Sequence, residues 1–149
     1  MSPSICNIVY VSQATRPLGT AELDSILQDA RRFNADAGIT GVLFHARGNF
    51  FQFLEGSRED LASVMQRIRA ARCHANIRIL LDARGSRRHF TDWHMAFAET
   101  PQSELQVLAN AAWDESIPLT RNGIEKPEAL ALVLSCWSTW GAGYIDVAP

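Results

Sequence analysis

Residues 48–56 read Gly-Asn-Phe-Phe-Gln-Phe-Leu-Glu-Gly, and a run of this kind leaves a chain few ways to fold. Three aromatic residues and a leucine surround one glutamine. Side chains alternate between the two faces of a strand. Phe50, Gln52 and Leu54 therefore share one face, and Phe51, Phe53 and Glu55 share the other. Gln52 is the anomaly. A carboxamide buried without partners costs on the order of 1–3 kcal/mol. Either solvent or neighbours satisfy it, or it lines a pocket and holds a polar ring. The strand alone leaves both readings open.

The flanking sequence supplies partners for this strand. Ile39 to His45 form a second apolar run, and Ala46-Arg47-Gly48-Asn49 is a short hairpin-type turn, so Phe50 to Glu55 should pair antiparallel with that run. Further upstream, Ile5 to Ser12 read as a buried strand rich in β-branched residues, with Cys6, Ile8, Tyr10 and Ser12 on one face. A loop with Pro17 and Gly19 follows. Thr20 is expected to N-cap a helix running to about Asp36, with Glu22 and Asp24 in its first turn. Its apolar stripe is Leu23, Ile26, Leu27, Ala30 and Phe33; Asn34 lies one position beyond it, and Gly38 ends the helix.

After Gly56, Ser57 is placed to cap a second helix, with Asp60 three residues on, and the stripe is Leu61, Val64, Met65 and Ile68. Arg67 and Arg72 flank that stripe. Ile77 to Asp82 predict a fourth strand, Arg84 to Arg88 a basic loop, and Phe90 to Phe97 a fifth strand with Thr91, Trp93, Met95 and Phe97 on one face. The order β-α-β-β-α-β-β predicts an α+β fold: a ferredoxin-like βαββαβ unit with an extra fifth strand, its mixed sheet carrying two helices on one face. The space between sheet and helices suits either a plain core or a bound planar ligand.

Thr100-Pro101 closes this unit, giving an expected domain over 1–100 and a helical extension over 101–149. Ser103 to Trp113 read as a helix with Leu105, Leu108 and Ala112 on one side. Ile117 to Lys126 read as a loop. A last helix starts at Pro127, carries Leu130, Leu134, Trp137 and Trp140, and stops at Gly141 and Gly143. This C-terminal cap is expected to cover the sheet face that the first two helices leave bare, which would otherwise be an exposed apolar patch. It is too short for an effector domain.

Composition excludes several function classes. The net charge of −2 carries no basic surplus of the kind that attracts nucleic acid. No apolar run approaches the roughly 20 residues that span a bilayer. The three cysteines, Cys6, Cys73 and Cys136, have neither metal-ligand spacing nor a disulfide framework. They fit a reduced compartment, and the N-terminus lacks the basic n-region of a signal peptide, so a cytoplasmic location is expected. Nucleophile triads, HExxH, P-loop and GxGxxG patterns are absent. The four histidines, His45, His74, His89 and His94, have no metal-ligand spacing and read as packed or surface residues. Three polar residues remain in apolar elements: Tyr10, Asn34 and Gln52. Singly they read as a satisfied core tyrosine, a helix C-cap and a solvated glutamine. Together, a hydroxyl and two carboxamides could surround a ring bearing carbonyl and N–H groups.

The sequence from about Ile5 to Phe97 resembles the BLUF domains, blue-light sensors that use flavin. The resemblance rests on Val9-Tyr10-Val11-Ser12, on Asn34 with Ile39-Thr40-Gly41-Val42-Leu43-Phe44, and on the run from Gly48 to Gly56. His74 and the segment from Phe90 to Met95 with Trp93 complete it. It implies a blue-light photoreceptor and not an enzyme. Tyr10 and Gln52 would be the photoactive pair, with Tyr10 giving an electron and a proton and Gln52 bridging the hydroxyl and the flavin. The cofactor would be FAD, with FMN as the other candidate. Tyr10, Ile26, Asn34, Gln52, Arg67 and His74 would bind it, and Ser12, Trp93 and Met95 would relay the signal.

Two places depart from the family pattern: Phe33 stands where a second polar residue is common, and Ala71-Arg72-Cys73-His74 replaces Asp-x-Arg-His. The tail resembles the helical cap of short members, whose output goes to an unidentified downstream protein or to a second copy in a homodimer. Trp113, Trp137 and Trp140 are candidate contact residues, or simply pack on the sheet. Neither nucleic acid nor a membrane is expected as a partner. The competing expectation is a ferredoxin-like protein-interaction module without flavin.

Overall fold

In chain order the elements are β1 (Cys6–Ala14), α1 (Thr20–Ala37), β2 (Thr40–Ala46), β3 (Asn49–Gly56), α2 (Arg58–Ala70), β4 (His74–Arg84), β5 (Ala96–Glu99), α3 (Gln102–Ala109) and α4 (Glu128–Trp140). The structure is a computed structural model and describes residues 5–85, 88–91, 93–111, 113 and 128–141. The expected loop over 117–126, the helix start at Pro127 and the stop at Gly143 lie outside the described residues. The five strands form one mixed sheet in the order β4-β1-β3-β2-β5. Every neighbouring pair is antiparallel except β2 and β5, which run parallel. The architecture is the expected α+β, ferredoxin-like one.

The hairpin fixes the register at the centre. Its two loop residues, Arg47 and Gly48, have φ of 48° and 80°. A two-residue turn with positive φ at both positions matches the twist of the strands it joins. From that turn Ala46 pairs with Asn49 and Leu43 with Gln52, which puts Gln52 on the face that Tyr10 and Phe50 share. Gly41 meets a different demand: a Cβ there would run into the Phe53 carbonyl of the neighbouring strand.

The edge strand β4 is half-buried to exposed, while the centre of the sheet is buried on both faces. On one, Ile8, Tyr10, Leu43, Phe50 and Leu54 pack under Leu27 of α1 and Leu61, Val64 and Met65 of α2. On the other, Val9, Val42, Phe44, Phe51 and Phe53 pack with Leu105 and Leu108 of α3 and Leu130, Val133 and Cys136 of α4. Complete burial of a Phe such as 51 or 53 contributes about 1.5–3 kcal/mol before entropy is counted. The C-terminal helices thus cover the face that the first two leave bare. Cys136 is held there as a thiol: burial, and then Glu104 on α3, push its pKa up to about 11.

Local chemistry accounts for most helix ends. Ser57 Oγ accepts from the Asp60 N–H at 3.1 Å and donates to the Asp60 carboxylate at 2.8 Å. Gly38 takes the left-handed conformation, φ 69°, that closes α1. The start of α1 differs from expectation. The N-cap is Gly19, whose carbonyl accepts the Leu23 N–H at 3.0 Å, and Thr20 is already helical.

Other boundaries moved as well. β4 begins at His74 instead of Ile77, because Gln13 and Ala14 extend β1 and pair with Ala75 and His74 across a register shift. Asn76 there has φ 56°, which hides the alternation. Helix α3 stops at Ala109 instead of Trp113. The chain folds back so that the Trp113 indole N–H donates to the Leu108 carbonyl at 2.8 Å and its ring sits 5.8 Å from Phe51. The expected strand over Phe90–Phe97 is strand only from Ala96. Residues before it turn, with Trp93 N–H on the Phe90 carbonyl at 3.2 Å. Alternation therefore fails there, and Trp93 packs with the α3–α4 face while Met95 packs with the α1–α2 face.

Candidate functional site

Tyr10 and Gln52 are directly opposed in the β1–β3 pairing, both buried under the α1–α2 layer. The phenol donates to Gln52 Oε1. The other end of the carboxamide gives an N–H to Met95 Sδ at 3.0 Å. Gln52 is therefore satisfied by its neighbours, and it also lines a cavity; the two readings of this residue hold together. Burial raises the pKa of the Tyr10 phenol well above its ordinary value, with the Cys73 sulfur adding to the effect. The phenol keeps its proton.

The cavity lies between the sheet and the two helices and has a volume of about 390 Å³, within the range of small-molecule sites. Leu43, Phe50, Gln52 and Tyr10 come to it from the sheet, Ile26, Phe33 and Asn34 from α1, and Val64, Arg67 and Ile68 from α2. Ile26 arrives there because it continues the stripe of α1 toward Ala30 and Phe33. Asn34 is buried, and its side chain donates to the His94 carbonyl at 2.7 Å. That contact leaves its own Oδ1 for a donor. Asn34 is not the C-cap; Gly38 is.

At one end, the Arg67 guanidinium lies 4.7 Å from the centre of the Phe33 ring, a cation–π contact, and Nη1 reaches the Asp29 carbonyl at 3.4 Å. Phe33 thus positions Arg67. At the other, His74 Nε2 meets the Ile68 carbonyl at 3.0 Å and Nδ1 meets Ser12 Oγ at 2.8 Å. Because a carbonyl only accepts, Nε2 carries a proton, and Nδ1 and Ser12 Oγ share a second hydrogen bond. Cys73 and Ala71 line the cavity beside His74.

The expected residues divide accordingly. Tyr10, Ile26, Asn34, Gln52, Arg67, His74 and Met95 converge on one cavity. Ser12 reaches it through His74. Trp93 does not reach it: its ring stands 5.9 Å from Trp137 of α4, edge to face. Sequence reasoning did not single out the Phe33–Arg67 stack or the cavity positions of Leu43 and Phe50. Phe33 ends the stripe of α1 and Arg67 flanks that of α2, which was the available signal; no spacing could show that the two meet there.

The group this cavity would suit is flat and apolar, with hydrogen-bonding edges. Aliphatic and aromatic side chains form its walls, and carboxamide, imidazole and guanidinium groups enter at its margins. The donor set fits a heteroaromatic ring with carbonyl and N–H positions. Among the described residues no cluster of His, Cys, Asp or Glu could hold a metal ion, and no helix is long and apolar enough to cross a membrane.

Known proteins resemble this chain in sequence and in fold. The family described as sensors of blue-light using FAD, BLUF, matches residues 5–96. The photoactivated adenylate cyclase subunit beta-like protein FB of Euglena gracilis is 41% identical over 66 residues, which cover 44% of this chain and 8% of that protein. The chain therefore spans less than a tenth of that relative. Among solved structures, BlrB, a BLUF protein in its dark state, is 26% identical with a TM-score of 0.68, over 92% of this chain and 97% of the other. Klebsiella pneumoniae BlrP1 with FMN and cyclic diGMP is 28% identical with a TM-score of 0.60, over 64% of this chain and 26% of the other.

Proposed function

The chain belongs to the BLUF family of flavin-based blue-light sensors, and on that premise we propose that its cavity binds FAD and that light switches the Gln52 carboxamide between two hydrogen-bonding states. The observation that carries this reading is the position of Gln52, held between the Tyr10 hydroxyl and Met95 Sδ at the side of a cavity suited to a flat heteroaromatic ring. Asn34 would hold one polar edge of the ring, Ile26 would pack on its face, and Arg67 and His74 would meet the ribityl-phosphate side. Ala71 and Cys73 leave that side to Arg67 and His74.

A bound flavin supplies absorption of blue light and, once excited, an acceptor for one electron and one proton, both of which return. Tyr10 is their source. Its buried phenol would be costly to leave charged, so loss of the electron and loss of the proton go together. The proton leaves along the existing hydrogen bond to Gln52 Oε1. Gln52 returns rotated or tautomerised, and the N–H it gave to Met95 Sδ is redirected. Met95 then repacks, and because the chain from Trp93 to Met95 bridges both faces of the sheet, the change is passed to Trp93 and to Trp137 of α4. Ser12 would take a parallel route through His74.

This chain would act as a switch and not as an enzyme. We assign 1–100 to the flavin-binding domain and 101–149 to the helices that carry the output, through contact with a downstream protein or a second copy of the chain. FMN is the other candidate cofactor. A light-minus-dark absorption spectrum of the purified, flavin-supplemented protein tests the whole reading. A reversible red shift supports it. A protein that stays colourless refutes it and leaves a flavin-free ferredoxin-like interaction module.

A further inference from the structure

Glu55 is fully buried, three residues beyond Gln52 on β3 and on the opposite face. Its carboxylate belongs to no part of the cavity. Oε1 accepts from Thr40 Oγ1 at 3.2 Å and from the Phe90 N–H at 2.8 Å. Oε2 accepts from the His89 N–H at 2.5 Å and meets His89 Nδ1 at 3.1 Å. Both oxygens are thus engaged, by three donors and a neighbouring ring nitrogen. Next to it, Arg88 donates to Thr40 Oγ1 at 3.0 Å, to the Glu55 carbonyl at 3.2 Å and to the Gly38 carbonyl at 2.7 Å.

A buried carboxylate is an expensive way to fill space, and an apolar side chain of similar size often does so better. What this one supplies is specific. The N–H groups of His89 and Phe90 precede β5 and have no strand partner, and Glu55 takes both. Five residues later Met95 accepts from Gln52. The far half of the segment is held separately: the Trp93 carbonyl accepts the Gly41 N–H at 2.9 Å, and Arg31 Nε donates to the Met95 carbonyl at 3.0 Å. One strand therefore carries both the amide that contacts Met95 and the carboxylate that anchors the segment bearing Met95.

We propose that Glu55 is a positioning residue of the switch: by clasping residues 89 and 90 it sets the path of the segment that returns Met95 to Gln52, and so governs how fast the light-induced state reverts in the dark. This rests on the flavin reading given above. Loosening the clasp disfavours the arrangement with Met95 against Gln52 and slows reversion.

The test compares wild type, Glu55→Gln and Ser57→Ala, each loaded with FAD, by the red shift after a blue pulse and its decay in the dark. Gln keeps the shape but accepts through one oxygen only, so E55Q should show a red shift of wild-type size that decays at least threefold more slowly, with altered Trp93 fluorescence. S57A, destabilised at the neighbouring helix cap where its hydroxyl bonds to Asp60, should decay at the wild-type rate. Should E55Q not fold, Arg88→Gln takes its place with the same slowing expected. A normal red shift with unaltered decay in the variant, or equal slowing in S57A, overturns the clasp alone. Absence of any red shift in wild type overturns the flavin reading and this proposal with it.

Discussion

Tyr10 and Gln52 are cross-strand partners of β1 and β3, and the tyrosine hydroxyl donates to the glutamine carbonyl oxygen. The pairing also orients the amide. Met95 Sδ is only a weak acceptor, so the carboxamide N–H faces the sulfur and its oxygen faces the phenol. A donor–acceptor chain from Tyr10 through Gln52 to Met95 results, and each link can be removed singly.

Tyr10→Phe removes the hydroxyl and leaves the ring in place. The loss of one hydrogen bond should cost about 1 kcal/mol of stability, and FAD should still bind. The light-minus-dark spectrum should be flat, since the electron and proton source is gone. A red shift of normal size in this variant would refute the role given to Tyr10.

Gln52→Leu keeps the volume and deletes both hydrogen bonds. The buried Tyr10 hydroxyl is then left without its acceptor, at a cost of about 1–3 kcal/mol, readable as a lower urea midpoint. The red shift should also disappear. An unchanged photocycle would take Gln52 out of the switch.

The raised pKa of Tyr10 has a consequence for alkaline stability. Its ordinary value is 10.0, and burial, then the Cys73 sulfur, raise it in the folded protein. Above pH 10 the unfolded chain releases this proton while the folded chain still holds it, so the contribution to stability is complete below pH 10 and is lost as pH rises beyond it. Chemical denaturation at pH 9 and pH 11 should show a smaller drop in Tyr10→Phe than in wild type. Equal drops would mean that Tyr10 is not buried as a neutral phenol.

Ser57→Ala removes the oxygen that accepts the Asp60 N–H at the start of α2. Loss of such a cap costs about 1 kcal/mol. The urea midpoint should fall, while FAD binding and the size of the red shift remain as in wild type. A variant as stable as wild type would show that water replaces the cap.

Features set by near neighbours along the chain could be read directly. The alternation of Phe50 to Glu55, the hairpin through Arg47 and Gly48, the Ser57 cap and the stripe of α1 each follow from residues a few positions apart. So does the layering, because a strand with Phe50 and Leu54 on one side and Phe51 and Phe53 on the other must be covered twice. The cavity residues were legible in a different sense: the resemblance named Tyr10, Asn34 and Gln52, while their spacing alone left each with an ordinary explanation.

The stretch from Arg88 to Met95 was not legible, and there the tertiary structure decided. Alternation predicts a strand with Trp93 and Met95 on one face, but Glu55, Gly41, Asn34 and Arg31 hold the backbone by its N–H and carbonyl groups instead. Those partners lie 34 to 64 residues away along the chain, and no local propensity encodes them. The chain by itself determined which residues must be buried and on which side of a strand. Only the fold decided which of them meet, because a side chain's hydrogen bonds are set by whatever the packed layers bring within about 3 Å of it.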